Sequence, residues 1–173
     1  MIKVLPLAPE SYDTDHIVAY STEGQPVNWQ AFQQRQSAWV NRLQFCRDKK
    51  VAVYHSNAIE FLAILHALWS LQKIPVVPGN TLEPTLQAVA LETSYFVGEI
   101  EHPSTGKVGG STAPETKCEE SETVLIMFTS GSTGAPKAIC KSFAQLNAEL
   151  QTLDHHWGNK LQGVLIVGTV SHH

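Results

Sequence analysis

The residues best suited to chemistry lie together in Thr129-Ser130-Gly131-Ser132-Thr133-Gly134, followed by Ala135-Pro136-Lys137. The loop is built from glycines and small hydroxyl residues, and a lysine closes it. Such a set suits a polyphosphate. Glycine lets the backbone approach a ligand and adopt positive φ, so that successive N–H groups converge on one anion. Thr129, Ser130, Ser132 and Thr133 add hydroxyl donors, and Lys137 adds a mobile positive charge. Two familiar phosphate loops are excluded by residue order. A Walker A motif needs Gly-x-x-x-x-Gly-Lys-Ser/Thr. Counted from Gly131, Pro136 occupies the place of the second glycine, and Ala138 stands where Ser or Thr belongs. The Gly-x-Gly-x-x-Gly dinucleotide fingerprint is also absent. A flexible linker shares this composition. Two features argue against one here: a strand and Pro-Lys bound the loop tightly, and its order is specific.

The elements around the loop read as an alternation of strands and helices. Thr123 to Phe128 is a short apolar run with β-branched and aromatic residues, which predicts a buried strand leading into the loop. Earlier in the chain, residues 17–27 read as two short strands around a Thr22-Glu23-Gly24-Gln25 turn. Asn28 is placed to cap a helix from Trp29 to about Cys46. Phe32, Trp39, Val40 and Leu43 share one face of that helix, with Gln33, Gln34, Arg35 and Arg42 largely outside it. Val51–His55 predicts a strand, and Ser56-Asn57 a cap for a helix over 58–73. That helix is apolar almost all round, so it must be buried on more than one side. His66 reads as a packed histidine, because no acidic or metal-ligating partner stands three or four positions away. Residues 75–78 and 95–97 predict two more short strands, with a weaker helix over 82–91 between them. The alternation indicates an α/β fold with a layered, parallel or mixed sheet and flanking helices.

Residues 101–122 change character. Five glutamates (Glu101, Glu115, Glu119, Glu120, Glu122) against Lys107 and Lys117 supply most of the chain's net charge of −4. The reading is an exposed connection, and Gly109-Gly110-Ser111-Thr112 within it has no preceding strand to make it a second phosphate loop. After the main loop, Ala138–Lys141 reads as a brief extended stretch. Ser142 with Gln145 forms a capping box for a helix over 143–153. His155 and His156 are adjacent and point apart on most backbones, which disfavours a metal site. Gly163–Val170 reads as a further buried strand.

Taken in order, Phe128-Thr-Ser-Gly-Ser-Thr-Gly-Ala-Pro-Lys-Ala138 resembles the signature loop of the adenylate-forming (AMP-binding) enzymes. These are the acyl- and aryl-CoA synthetases, peptide-synthetase adenylation domains and luciferases. The match holds at every position except the last, where Ala138 replaces the usual glycine. The strand, Asn cap, long apolar helix and Val-Pro of residues 51–78 resemble the family's first α/β unit. Ser171-His172-His173 resembles the start of its acyl-pocket segment. The resemblance implies that residues 1–173 are the amino-terminal portion of an AMP-binding domain: a first α/β unit over 1–100, a connection over 101–122, and the phosphate-loop strand, helix and following strand over 123–173. It implies ATP and Mg²⁺ as cofactors, a small-molecule carboxylate as substrate, and a thiol acceptor, either CoA or the phosphopantetheine of an acyl carrier protein. By that analogy Thr129, Ser130, Gly131, Ser132, Thr133, Gly134 and Lys137 hold the β- and γ-phosphates. The family's catalytic lysine, ribose-binding Asp and metal-binding Glu find no match here, so the chain by itself is expected to be inactive.

Composition limits partners and setting. The net charge gives no reason to expect nucleic acid or an anionic membrane. No stretch is long and apolar enough for a bilayer span, and the first residues are too short and too broken by Pro6 and Pro9 for a signal peptide. Cys46, Cys118 and Cys140 are odd in number and widely spaced, without metal or redox pairing, which favours a reducing cytoplasm.

Overall fold

A computed structural model describes residues 13–101, 123–129 and 136–157. The chain begins with a two-stranded hairpin, β1 (Ile17–Tyr20) and β2 (Pro26–Asn28), turning at Gly24 with φ +77°. Helix α1 (Trp29–Leu43) follows directly. Asn28 caps it as the sequence predicts, its Oδ1 accepting the Ala31 N–H at 2.9 Å. The helix ends earlier than Cys46, with Gln44 at the C-cap.

The main sheet runs in the order β5-β3-β4-β6-β7. Its members are β3 (Lys50–Tyr54), β4 (Ile74–Val77), β5 (Phe96–Gly98), β6 (Leu125–Thr129) and β7 (Lys137–Lys141). The pairs β3–β4, β3–β5 and β4–β6 are parallel, whereas β6–β7 is antiparallel. The expected α/β class and mixed sheet are therefore present. Helix α2 (Ala58–Ser70) links β3 to β4, α3 (Glu83–Ala90) links β4 to β5, and α4 (Phe143–Trp157) follows β7.

Alternation along β3 shows why the sheet needs two covers. Val51 and Val53 pack with Leu43, Ile64, Ala67 and Leu68 of α1 and α2. Ala52 turns to the other face, joining Ile74, Val76, Ile126 and Phe128 beneath Leu86 and Val89 of α3. Apolar runs in β3, β4 and β6 are the signature of strands buried on both faces. A third cluster, Val27, Phe32, Ile59 and Ala63, fastens the hairpin to α1 and α2.

Several boundaries depart from expectation. Helix α2 stops at Ser70 because the chain turns left-handed at Gln72, with φ 56°. The Gln72 N–H donates to the Trp69 carbonyl and the Lys73 N–H to the Leu68 carbonyl, at 3.0 and 2.8 Å. This is a Schellman ending with glutamine in the glycine position. The helix is also less enclosed than its apolar sequence suggests, since Leu62 is 43% exposed. At α3 the N-cap position falls on Leu82, with no side-chain cap, and Asn80 instead accepts the Leu82 N–H at 3.0 Å. Helix α4 runs beyond Leu153 to Trp157, so His155 and His156 lie within it rather than ending it. Its capping box forms as read: Ser142 N–H donates to Gln145 Oε1 at 2.9 Å, and Gln145 N–H to Ser142 Oγ at 3.3 Å. Cys46 is a free thiol, and Cys118 lies outside the described residues. No described helix is long and apolar enough to cross a membrane.

Candidate phosphate site

Strand β6 and strand β7 form one hairpin, and its loop end carries the candidate site. The register pairs Leu125 with Lys141, Met127 with Ile139, and Thr129 with Lys137. The strand and the lysine read separately in the sequence thus face each other across a hairpin. Thr129 and Lys137 are both exposed, and the Thr129 hydroxyl lies 3.5 Å from the Lys137 carbonyl as its donor. Ser130, Gly131, Ser132, Thr133 and Gly134 lie outside the described residues. Sequence reading treated Ala138–Lys141 only as an extended stretch. What it missed is that this stretch is the antiparallel partner of the loop-bearing strand. The alternation of Lys137, Ile139 and Lys141 against Ala138 and Cys140 is the one signal available, because the latter two pack on the α3-side core.

The loop end of the hairpin lies at the carboxyl ends of the parallel strands. Successive connections leave β3 and β4 on opposite faces, through α2 and α3 respectively. Such a switch leaves a crevice outside the strand ends, where ligands bind in open α/β sheets. Two further polar side chains sit at that end. Glu99, just after β5, accepts the Ser56 N–H on Oε2 at 2.7 Å, and its Oε1 lies 3.6 Å from His55 Nδ1. The hydrogen bond from Ser56 holds the Glu99 carboxyl below the usual carboxylate range. His55 Nδ1 accepts the Asn57 N–H at 3.1 Å, and Asn57 caps α2 by accepting from Ile59 and Glu60. No sequence spacing relates His55 to Glu99. The parallel pairing of β3 with β5 brings them together.

The helices behind the sheet are tied by a half-buried acid, Glu60. Burial raises the Glu60 pKa, but hydrogen bonds from Trp39 and Arg35, together with the Arg35 charge, outweigh it and leave the carboxyl below its ordinary value. Arg35 meets Glu60 Oε1 at 2.5 Å and Trp39 Nε1 donates to Oε2 at 3.0 Å. His66 is packed, as expected: Phe32 meets it edge-on with ring centroids 5.4 Å apart, and Trp69 lies 5.7 Å away. Burial lowers its pKa. Among the described residues no group of three or more His, Cys, Asp or Glu side chains is placed to hold a metal ion.

Comparison with known proteins meets this site from two directions. No family model matches the chain. The chain is 31% identical over 91 residues to an acetoacetyl-CoA synthetase of Gallus gallus, covering 51% of this chain and 13% of that protein. It is 27% identical over 152 residues to a 2-succinylbenzoate–CoA ligase of Geobacillus kaustophilus, covering 76% of this chain and 29% of the ligase. The chain therefore spans less than a third of the length of these curated relatives. Among solved structures, o-succinylbenzoate CoA synthetase of Bacillus subtilis, bound to its acyl-adenylate intermediate, superposes with a TM-score of 0.62. Identity is 18%, over 83% of this chain and 43% of that one. The N-terminal domain of FACL13 from Mycobacterium tuberculosis gives 0.53 at 15% identity, over 75% and 41%. The fold matches part of the amino-terminal domain of these enzymes. The resemblance read from the loop is borne out: in sequence this chain is similar to CoA ligases, and in fold to adenylate-forming enzymes.

Proposed function

We propose that this chain is the amino-terminal portion of an AMP-binding domain, residues 1–173, in an enzyme that activates a carboxylic acid with ATP. The reaction yields an acyl-adenylate and pyrophosphate, and the acyl group then passes to a thiol, that of CoA or of a carrier-protein phosphopantetheine. The observation that carries this reading is the hairpin that sets Thr129 opposite Lys137 at the carboxyl end of a parallel strand, with the signature order Thr129 to Gly134 between them. A ligand held there meets backbone N–H groups, hydroxyls and one cation. The role of Thr129, Ser130, Gly131, Ser132, Thr133, Gly134 and Lys137 is to grip the β- and γ-phosphates. As the carboxylate attacks the α-phosphate, negative charge grows on the departing pyrophosphate. Donors fixed at that place lower the barrier, by about 3 kcal/mol for one well-placed donor. Mg²⁺ supplies further charge neutralisation when bound with ATP.

The CoA ligases among the relatives favour an acid–thiol ligase over an amino-acid-activating adenylation domain. The 173-residue chain alone is proposed to be inactive, since the family's catalytic lysine has no counterpart in it. The cytoplasm is its proposed setting. The test is carboxylate-dependent ATP–pyrophosphate exchange by the complete reading frame, with fatty, aryl and amino acids and with Lys137→Ala in parallel. Exchange with one class of acid, weakened about a hundred-fold in the variant, is the expected result. Mg-ATP binding without exchange for any acid would replace the ligase with a non-catalytic nucleotide-binding module.

A further inference from the structure

The phosphate hairpin is anchored at its base by one side chain from another element. Trp69, in the last turn of α2, donates its indole N–H to the Val124 carbonyl at 2.8 Å. Val124 immediately precedes β6, and its own N–H donates to the Lys141 carbonyl of β7 at 2.9 Å. The same indole packs edge-on against Phe143, the first residue of α4, with ring centroids 5.7 Å apart. One residue therefore holds the entry of β6 and, through Phe143, the element that leaves β7. The indole is itself braced from behind by His66, Phe32 and Trp29 in sequence, with centroid separations of 5.7, 5.4 and 5.6 Å. This row of rings runs from α1 to α4 across α2. Elsewhere the hairpin joins the sheet through β4 alone, over the pairs Val76–Ile126 and Val77–Met127. Strand β7 has no described neighbour on its outer side. The α3-side core holds one face of the hairpin through Ile126, Phe128, Ala138 and Cys140, and Trp69 of α2 adds a fixed point at its base from the other face.

We propose that Trp69 is a positioning residue for the phosphate loop: by fixing the base of the β6–β7 hairpin against α2 and α4, it sets the angle at which Thr129 and Lys137 are presented to the polyphosphate. This rests on the proposed function for the identity of the ligand, and on the hydrogen bond and ring contacts alone for the anchoring. Trp69 touches no substrate and acts through the hairpin.

The test uses Trp69→Phe, which keeps a ring but removes the donor. Trp39→Phe is its control, removing an indole N–H of the same kind that bonds Glu60 instead. Amide hydrogen exchange is followed at Val124 and along the β6–β7 ladder, and Mg-ATP binding is titrated. Trp69→Phe is expected to speed exchange along the hairpin and to weaken Mg-ATP by about five-fold each, as the loss of one hydrogen bond implies. Trp39→Phe should change neither. Equal effects from the two variants, or none from either, overturn the proposal. So does faster exchange in Trp69→Phe with unchanged Mg-ATP affinity. The Mg-ATP titrations use the complete reading frame; if its parent form binds no Mg-ATP while the exchange difference persists, the phosphate role falls and the anchoring stands. Should Trp69→Phe fail to fold, the parent chain decides alone. Its Trp69 indole N–H must exchange in step with the Val124 amide, and markedly faster indole exchange refutes the anchor.

Discussion

Replacing Gly98 by alanine tests how the carboxyl end of the sheet is closed. Gly98 ends β5 with φ +97°, and a Cβ built there would lie 2.0 Å from the Tyr54 carbonyl oxygen and 3.0 Å from its carbon. Both are backbone atoms of β3, so no side chain can swing away. Relief needs the two strands to part by about 1 Å, judged against ordinary carbon–oxygen contact near 3 Å. That movement stretches the Glu99 N–H bond to the Tyr54 carbonyl, 2.8 Å in the parent. It also draws Glu99 away from Ser56. Unfavourable φ costs about 2 kcal/mol and the lost backbone bond about 1 kcal/mol. Gly98→Ala should therefore destabilise the chain by about 3 kcal/mol. Gly24 provides the control: its φ is +77°, but nothing lies within 4 Å of an added Cβ. Gly24→Ala carries the conformational cost alone, about 2 kcal/mol. Urea denaturation followed by circular dichroism, with matched m-values, measures both. Losses for the two variants within about 0.5 kcal/mol of each other would refute the steric argument.

Two other perturbations follow from the same geometry. Burial holds His66 below its ordinary pKa of 6.5, so the unfolded chain binds the proton more readily than the folded one. Stability from this group is complete above about pH 6.5 and declines as pH falls through that value toward the lower folded pKa. Urea midpoints should fall between about pH 7.5 and about pH 5.5, and His66→Gln should flatten that slope; an unchanged slope in the variant counts against the assignment. At the end of α2, Gln72→Gly removes the left-handed penalty of about 1 kcal/mol and adds about 0.5 kcal/mol of chain entropy in the unfolded state. A small rise in thermal midpoint is expected, and a fall would contradict the strain at this position.

Much of the local structure was legible in the residues. Asn28, Asn57 and the Ser142–Gln145 pair announce helix starts because their side chains satisfy N–H groups within three residues, which needs no distant partner. The apolar runs of β3, β4 and β6 announce strands covered on both faces for the same local reason. The end of α2 was less legible, because a glutamine fills a position where glycine would have flagged the turn.

The sequence by itself determined the α/β alternation and the phosphate-loop order, since both are written in neighbouring residues. Only the tertiary structure decided that β7 pairs antiparallel with β6, setting Lys137 across from Thr129. It alone brought Glu99 to His55, and Trp69 to Val124. Each of these joins residues whose separation along the chain carries no periodic signal. Their meeting depends on which strand edges remain open once the apolar faces of the sheet are covered. That choice belongs to the packing of the whole fold.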